Sequence, residues 1–267
     1  MIRIANAPVS YGAFEQTVGV LPNVPTADAV LDAIAAAGYE GTELGPYGYF
    51  GTGDELRNAL ARHVLQLAGA FVELDFTSGR LAELEATLDV IEPYGAQPIL
   101  SDNGPRDGDV DLDGVARAVE LARSRGFEPA FHHHMGTRVQ TVAEIERLLE
   151  GTDVALLLDT GHLTAAGGDP VRALHDWGNR IRHVHLKDVS LEVIRRAADW
   201  DEAWRNGAFC ALGTGDVDLH GFFDGLGRYD GWLVVEQDWF PRPGDDPAEH
   251  IEAQQRNRQW LREHAGL

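Results

Sequence analysis

Residues 155–188, ALLLDTGHLTAAGGDPVRALHDWGNRIRHVHLKD, contain the structural unit that decides the fold. Two short apolar runs, Ala155–Asp159 and Ile181–Leu186, predict strands, and the amphipathic stretch Pro170–Trp177 between them predicts a helix. Parallel strands need a crossover connection, which is usually a helix. The helix between these two strands therefore predicts that they lie parallel in one sheet.

The same alternation of strand and helix continues on both sides of this unit. Strands are predicted at Ile2–Ala7, Gly41–Leu44, Gln66–Val72, Gln97–Leu100, Pro129–His132, Ala155–Asp159, Ile181–Leu186 and Trp232–Glu236. Helices are predicted at Ala27–Ala37, Gly53–His63, Leu81–Ile91, Leu112–Arg125, Thr141–Glu150, Pro170–Trp177, Leu219–Leu226 and Ala248–His264. This count of strand–helix units in 267 residues fits a (β/α)8 TIM barrel, for which about 250 residues is typical.

A doubly wound sheet is the alternative architecture for alternating strands and helices. No GxGxxG turn follows the first predicted strand, and polar residues end many different strands, so the pattern favours the barrel. The chain contains no Pro/Ser-rich linker and no low-complexity tract. We therefore expect one TIM-barrel domain over residues 1–267.

Composition and charge exclude several classes of protein. Lys and Arg number 22 against 43 Asp and Glu, which gives a formal net charge of −21. Such a surface repels phosphate backbones and anionic lipids, so we expect neither a nucleic-acid nor a membrane partner. Cys210 is the single cysteine, which excludes an intramolecular disulfide and a multi-cysteine zinc site. The N-terminal residues lack the apolar core of a signal peptide, so we expect a cytoplasmic protein.

Side chains of the types that bind metals or transfer protons lie at or near the C-terminal ends of five of the predicted strands. They are Glu43, then His132, His133 and His134, then Asp159 and His162, then His183, His185, Lys187 and Asp188, and finally Glu236 and Asp238. Strand ends meet at the mouth of a barrel, where the active sites of this fold are built. Imidazoles and carboxylates that converge there form the ligand set of a divalent metal ion.

Strand alternation sorts these candidates, because residues two apart share a face. His132 and His134 point one way and His133 the other, whereas His183, His185 and Lys187 share one face. We expect His183 to pack in the barrel wall. Asp238 and Trp239 read as loop residues beyond the site.

Taken singly, each candidate has a structural explanation. A histidine after a strand is often only hydrogen-bonded, Asp159 could cap the next turn, and Glu236 could be an ion-pair partner. However, Asp159 ends a run of three leucines, where an ionised carboxylate is costly unless it is paired or bound to a metal. Because four successive strands each end in a possible ligand, the combination favours a metal site.

Aromatic residues near the strand ends could line a pocket for a polyol ring. These candidates are Tyr47, Tyr49, Phe50, Trp200 and Trp204. The long stretch 198–216, ADWDEAWRNGAFCALGTGD, reads as a loop on the same face of the barrel, where substrate contacts are common.

Five phrases in this order resemble the sugar isomerase/epimerase superfamily, whose members have a xylose isomerase-like barrel. They are GYEGTELGPYGYFG at 38–51, FHHHMGT at 131–137, LLLDTGHL at 156–163, HVHLKDV at 183–189 and GWLVVEQDW at 231–239. Within the superfamily the chain most resembles the inosose dehydratases. The resemblance implies a divalent metal, Mn²⁺ or Co²⁺ by preference and Mg²⁺ or Zn²⁺ as alternatives. By motif, the ligands fall on His132, Asp159, His185 and Glu236.

One position departs from the epimerase branch of that superfamily. There the fifth strand ends in a glutamate, which pairs with the eighth-strand glutamate to transfer protons on both faces of the substrate. Here that position is His132. The change argues against a mechanism with two carboxylates and favours one base, a Lewis acid and an acid for a leaving hydroxyl.

The resemblance therefore implies a lyase that dehydrates a keto-polyol, such as 2-keto-myo-inositol, through a metal-stabilised enolate. Glu236 is the candidate base, and His162 or Lys187 is the candidate acid or enolate-stabilising group. We expect His134 and Glu43 to contact the substrate or support the ligands.

Other functions stay open at this point. A keto-sugar epimerase or aldose–ketose isomerase would use the same metal, and a non-catalytic sugar-binding barrel would retain the pocket. An endonuclease of the related apurinic-site family needs a basic DNA-binding face, which a net charge of −21 argues against. The expected partner is a small keto-polyol or keto-sugar, with a homo-oligomer left open.

Overall fold

Strands and helices alternate along almost the whole chain. The computed structural model describes residues 1–104, 106–242 and 244–267. Its strands are β1 (Arg3–Asn6), β2 (Gly41–Glu43), β3 (Gln66–Leu74), β4 (Gln97–Asp102), β5 (Ala130–His132), β6 (Ala155–Asp159), β7 (Ile181–Leu186), β8 (Asp188–Val189), β9 (Phe209–Cys210) and β10 (Trp232–Val235). Its α-helices are α1 (Ala27–Ala37), α2 (Asp54–His63), α3 (Ala82–Ile91), α4 (Leu112–Ser124), α5 (Val142–Gly151), α6 (Thr160–Ala165), α7 (Pro170–Trp177), α8 (Leu191–Arg196), α9 (Trp200–Arg205), α10 (Leu219–Gly225) and α11 (Pro247–His264).

Eight of the strands close into a parallel barrel. Their order around the ring is β1, β10, β7, β6, β5, β4, β3 and β2, which returns to β1. Pairing places Asp159 of β6 opposite His185 of β7, and His185 opposite Val234 of β10. The polar ends of neighbouring strands therefore meet at one mouth of the barrel. The predicted (β/α)8 TIM barrel is confirmed.

Helix ends follow the local sequence signals. Thr26 precedes α1 and its side chain accepts a hydrogen bond from the backbone N–H of Ala29, while Gly38 ends the helix with a φ of 85°. Asp169 caps α7 through the backbone N–H groups of Val171 and Arg172. The inward faces of the helices then bury apolar side chains against the strands. Within the described residues, no helix is both long and apolar enough to cross a lipid bilayer.

The structure extends two strands beyond their predicted ends. The predictions stop at Val72 and Leu100 because polar residues follow, yet β3 and β4 continue in register with Glu73 opposite Ser101 and Leu74 opposite Asp102. Backbone hydrogen bonds in the barrel thus persist where side-chain polarity suggests a loop.

The predicted loop at 198–216 contains regular structure. It holds α9 and strand β9, which pairs antiparallel with β8 through Val189 opposite Phe209. The prediction of a plain loop was wrong because a two-residue ribbon is too short for a periodic sequence signal.

Candidate metal centre

Four side chains from four neighbouring strands converge at the barrel mouth. His132 and Asp159 are the last residues of β5 and β6, His185 lies near the end of β7, and Glu236 directly follows β10. All four side chains are at most 5% exposed. Asp159 Oδ2 lies 3.4 Å from His132 Nε2 and 3.7 Å from His185 Nδ1. Glu236 Oε2 lies 3.0 Å from the same His185 Nδ1. The structure therefore brings the sequence-predicted set into one cluster.

Asp159 uses its two carboxylate oxygens differently. Oδ1 accepts the backbone N–H of His162 at 2.8 Å and so caps α6. Oδ2 is buried and, among the described residues, has no hydrogen bond of good geometry. The capping role and the cluster role, which the sequence left as alternatives, are both present.

A second group of side chains lies against His185 on its other side. Glu43 Oε1 is 2.9 Å from His185 Nε2 and 2.9 Å from His183 Nε2. Burial disfavours the charged form of Glu43, but the charge of His185 and the hydrogen bond from His183 outweigh it and lower the pKa of this carboxyl. Glu43 thus stays ionised. His183 is buried, as expected, and its ring is fastened to Glu43.

Lys187 lies at the centre of the negative charge. Its Nζ is 2.9 Å from Glu236 Oε2, 3.3 Å from Asp159 Oδ2 and 3.0 Å from Asp238. Burial alone would lower the pKa of Lys187, but these three carboxylates raise it well above its usual value. Lys187 is therefore a charged ammonium. Gly161 allows its approach, because a Cβ there would come within 2.6 Å of Lys187 Cβ.

Asp238 belongs to this site, and its prediction as a residue beyond the site was wrong. Its side chain is 8% exposed and accepts a hydrogen bond from Lys187 at 3.0 Å. Just after β10, Ser10 Oγ accepts a hydrogen bond from the backbone N–H of Gln237, the residue that precedes Asp238. The alternation from Glu236 to Asp238 is the sequence signal that could have identified it.

The remaining histidines occupy the faces that alternation predicts. His132 and His134 border the cavity, whereas His133 faces away and accepts the backbone N–H of Asp159 at 3.2 Å. His162 Nε2 lies 3.3 Å from Lys187 Nζ. Burial, with the charges of His134 and Lys187, lowers the pKa of His162 well below its usual value, so its ring is neutral.

A cavity of about 320 Å³ opens above the cluster. Its wall includes five aromatic side chains, those of Phe14, Phe71, Trp200, Trp204 and Phe209. The predictions for Trp200 and Trp204 are confirmed, but Tyr47, Tyr49 and Phe50 are not among the described residues that line the cavity. Tyr47 is 66% exposed, and the rings of Tyr49 and Phe50 pack on each other at 5.0 Å.

Among the described residues, two groups of side chains could hold a metal ion. In one, single ligand atoms of His132, Asp159 and His185 lie within 4.8 Å of one another; in the other, those of Glu43, His183 and His185 do so. The first group also has the unbonded Oδ2 of Asp159 and the Glu236 carboxylate beside it. Mixed imidazole and carboxylate donors suit a divalent transition metal. The first group therefore fits such an ion.

The closed parallel barrel, with imidazole and carboxylate side chains at its C-terminal mouth, defines a class of protein. The chain belongs to the xylose isomerase-like TIM barrel family, whose sequence model matches residues 31–264.

Individual proteins that are similar in sequence point to one group within this family. The chain is 34% identical to the inosose dehydratase of Geobacillus thermodenitrificans (strain NG80-2) in an alignment 277 positions long, gaps included, that covers 91% of each protein. It is 32% identical to the inosose dehydratase of Clostridium beijerinckii (strain ATCC 51743 / NCIMB 8052), again over 91% of each. The resemblance seen in the sequence motifs is thereby confirmed.

Solved structures share the fold at lower sequence identity. The IolI protein with a bound zinc atom superposes with a TM-score of 0.69 at 14% identity, over 99% of this chain and 100% of that one. At that identity the likeness concerns the fold alone.

Proposed function

We propose that this protein is a metal-dependent carbon–oxygen lyase that dehydrates a keto-polyol, with 2-keto-myo-inositol as the first candidate. The observation that carries the proposal is the mouth of the barrel, where β5 ends in His132 instead of a carboxylate and faces Glu236 across Asp159 and His185. The inosose dehydratase names of relatives that match 91% of the chain support the same activity.

The metal site of this proposal consists of His132, Asp159, His185 and Glu236. These residues would hold a divalent ion, which would polarise a substrate ketone and acidify the hydrogen on the neighbouring carbon. Mn²⁺ or Co²⁺ is our first choice, with Mg²⁺ and Zn²⁺ as alternatives. Glu43 holds Nε2 of His185 and so leaves Nδ1 turned toward Asp159 and Glu236.

Proton transfer in this mechanism is divided between two residues. Burial opposes ionisation of Glu236, but His185 and Lys187 outweigh it and lower its pKa, so the carboxylate is ready to accept a proton. A low pKa also makes it a weak base, which is why the substrate hydrogen must first be made acidic.

The charged Lys187 is the donor on the other side of the reaction. Glu236 takes the proton from the carbon next to the ketone, and the electron pair of that C–H bond forms the new carbon–carbon double bond. The C–O bond at the next carbon breaks, and its hydroxyl leaves with a proton from Lys187. One water is lost and no redox partner is needed. His162 is neutral and lies against Lys187, so it positions that donor.

A reaction in deuterated water tests the proposal. The protein is stripped of metal, reloaded with Mn²⁺ or Co²⁺ and incubated with 2-keto-myo-inositol, and the products are followed by NMR. We expect a dehydrated diketone that forms only with metal, and no product from Lys187→Met. Glu120→Lys, on the exposed side of α4, is a control for substitution away from the site and should keep full activity.

The alternative is a keto-sugar epimerase or isomerase, which gives a different result in the same tube. Deuterium uptake or a new stereoisomer without loss of water would replace the lyase by that activity, despite His132. No reaction with any keto-inositol would contradict the proposed substrate.

A further inference from the structure

The cavity above the metal centre has two unlike sides. Around the barrel, β3 lies four strands from β7 in either direction, and β1 lies four strands from β5. The side formed by β3 and the segment after β1 therefore faces the side that carries His132, His185 and Lys187. A substrate held at the metal centre must present its far edge to this opposite side.

Strand β3 presents three residues to the barrel interior in succession. Gly69 is deepest, and a Cβ there would meet the Ile99 side chain at 2.7 Å and Glu43 Oε1 at 3.2 Å. Phe71 follows and packs its ring edge-on against His132, with centroids 5.8 Å apart. Glu73 comes next on the same face, at the mouth, and borders the cavity.

Glu73 and its neighbour Glu15 have unused hydrogen-bonding capacity. Both border the cavity, and within the described part of the chain neither carboxylate forms a hydrogen bond or an ion pair. Both side chains are solvent-exposed at the rim of the cavity. Partial burial, and then the charge of Glu15, raise the pKa of Glu73. This side of the cavity therefore offers hydrogen-bond acceptors that no donor of the described residues occupies.

Positive charge on the opposite side is already paired. Lys187 contacts the carboxylates of Asp159, Glu236 and Asp238. No arginine is among the described residues that line the cavity. A carboxylate or phosphate on the far edge of a metal-held ligand would thus meet Glu73 and Glu15 without a cationic side chain on this side of the cavity to offset the repulsion.

We propose that Glu73, assisted by Glu15, is a specificity-determining residue that binds ring hydroxyls of an uncharged polyol and rejects anionic ketones. Hydroxyl groups are donors and satisfy both carboxylates, whereas an anion placed there is repelled by like charge. Discrimination by an unpaired like charge is a common route to specificity. This inference rests on the proposed function and adds to it the residues that select the substrate.

Calorimetric titration of the manganese-loaded protein tests the proposal without relying on turnover. The ligands are myo-inositol and myo-inositol 1-phosphate, which differ by one charged group. The wild type should bind myo-inositol and show at least tenfold weaker binding of the phosphate. Glu73→Gln should weaken myo-inositol binding about tenfold, because a hydrogen bond to a charged acceptor is lost. Glu73→Lys should reverse the order of the two ligands.

The control and the outcomes keep this inference separate from the proposed reaction. Glu120→Lys makes the same charge change on the outer face of α4 and should leave both affinities unchanged. Equal binding of the two ligands to the wild type, no binding of myo-inositol, or a Glu73→Lys variant that behaves like Glu120→Lys would overturn the inference. Selective binding without turnover of any keto-inositol would contradict the proposed function but support the role of Glu73.

Discussion

Replacement of Glu43 by glutamine should weaken metal binding without abolishing it. Glu43 Oε1 lies 2.9 Å from His185 Nε2, and Nδ1 of the same ring is turned toward Asp159 and Glu236. The carboxylate therefore fixes which ring nitrogen carries the hydrogen and makes the other nitrogen a stronger ligand. Glutamine has nearly the same shape but carries no charge, so it removes the second effect.

The expected size of the loss follows from this geometry. Changing a residue that supports a metal-binding histidine typically costs 10- to 100-fold in metal affinity, or about 1.4–2.8 kcal/mol. Because Glu43 is buried and contacts His185 directly, we expect a loss toward the upper end of that range. Titration of Mn²⁺ or Co²⁺ into the metal-free protein measures it, with Glu120→Gln as the control at an exposed site.

Two results would refute this reasoning. An affinity within twofold of the wild type would mean that Glu43 does not support His185. Complete loss of binding would make Glu43 a direct ligand and move the ion to the group formed by Glu43, His183 and His185. His183→Gln separates the two sites, because His183 is a ligand only in the second. We expect that variant to bind metal within a few fold of the wild type.

Three further predictions concern the same part of the molecule. Replacing Asp159 by alanine should abolish metal binding, and a variant that still binds tightly by calorimetry would refute the assigned site. Metal affinity should rise with pH through the neutral range. Burial lowers the pKa of His185, but Glu236 and Glu43 raise it well above its usual value, so metal binding must displace a proton from His185. Because less of this proton is bound as pH increases, titrations at pH 6 and 8 measure the effect. Arg138→Met should lower the free energy of unfolding by about 3–5 kcal/mol, because it leaves the buried Asp102 without the guanidinium that contacts both of its oxygens. Urea denaturation measures this, and a loss under about 1 kcal/mol would contradict the prediction.

Sequence periodicity was sufficient to predict the barrel and the face of each site residue. Two-residue alternation places His183, His185 and Lys187 on one face of β7, and all three side chains point into the barrel interior, with His185 and Lys187 bordering the cavity. Strands in a closed barrel have one interior, so the period determines which residues face it.

Pairings across the barrel could not be predicted in the same way. Glu43 meets His183 at a sequence separation of 140 residues, and no local pattern encodes that contact. The wall of the cavity was also missed in part, because Phe14 and Phe71 look like ordinary core residues in the sequence. Their exposure to the cavity depends on the closed shape of the barrel and on the segment after β1.

The excess of carboxylates over cationic side chains at the barrel mouth is consistent with two neighbouring positive charges. One is the ammonium of Lys187, and the other is protonated His185 or, in the proposed reaction, the metal ion. Glu43, Asp159, Glu236 and Asp238 are all at most 8% exposed, and burying so many like charges is unfavourable without cations nearby. Lys187 alone cannot balance them, and in the metal-free protein a proton on His185 supplies part of the remaining charge. In the proposed reaction a divalent ion takes the place of that proton, while Asp238 still holds Lys187 in its charged form. A barrel mouth with fewer carboxylates would hold either the metal ion or the ammonium donor less well, and the proposed elimination of water needs both.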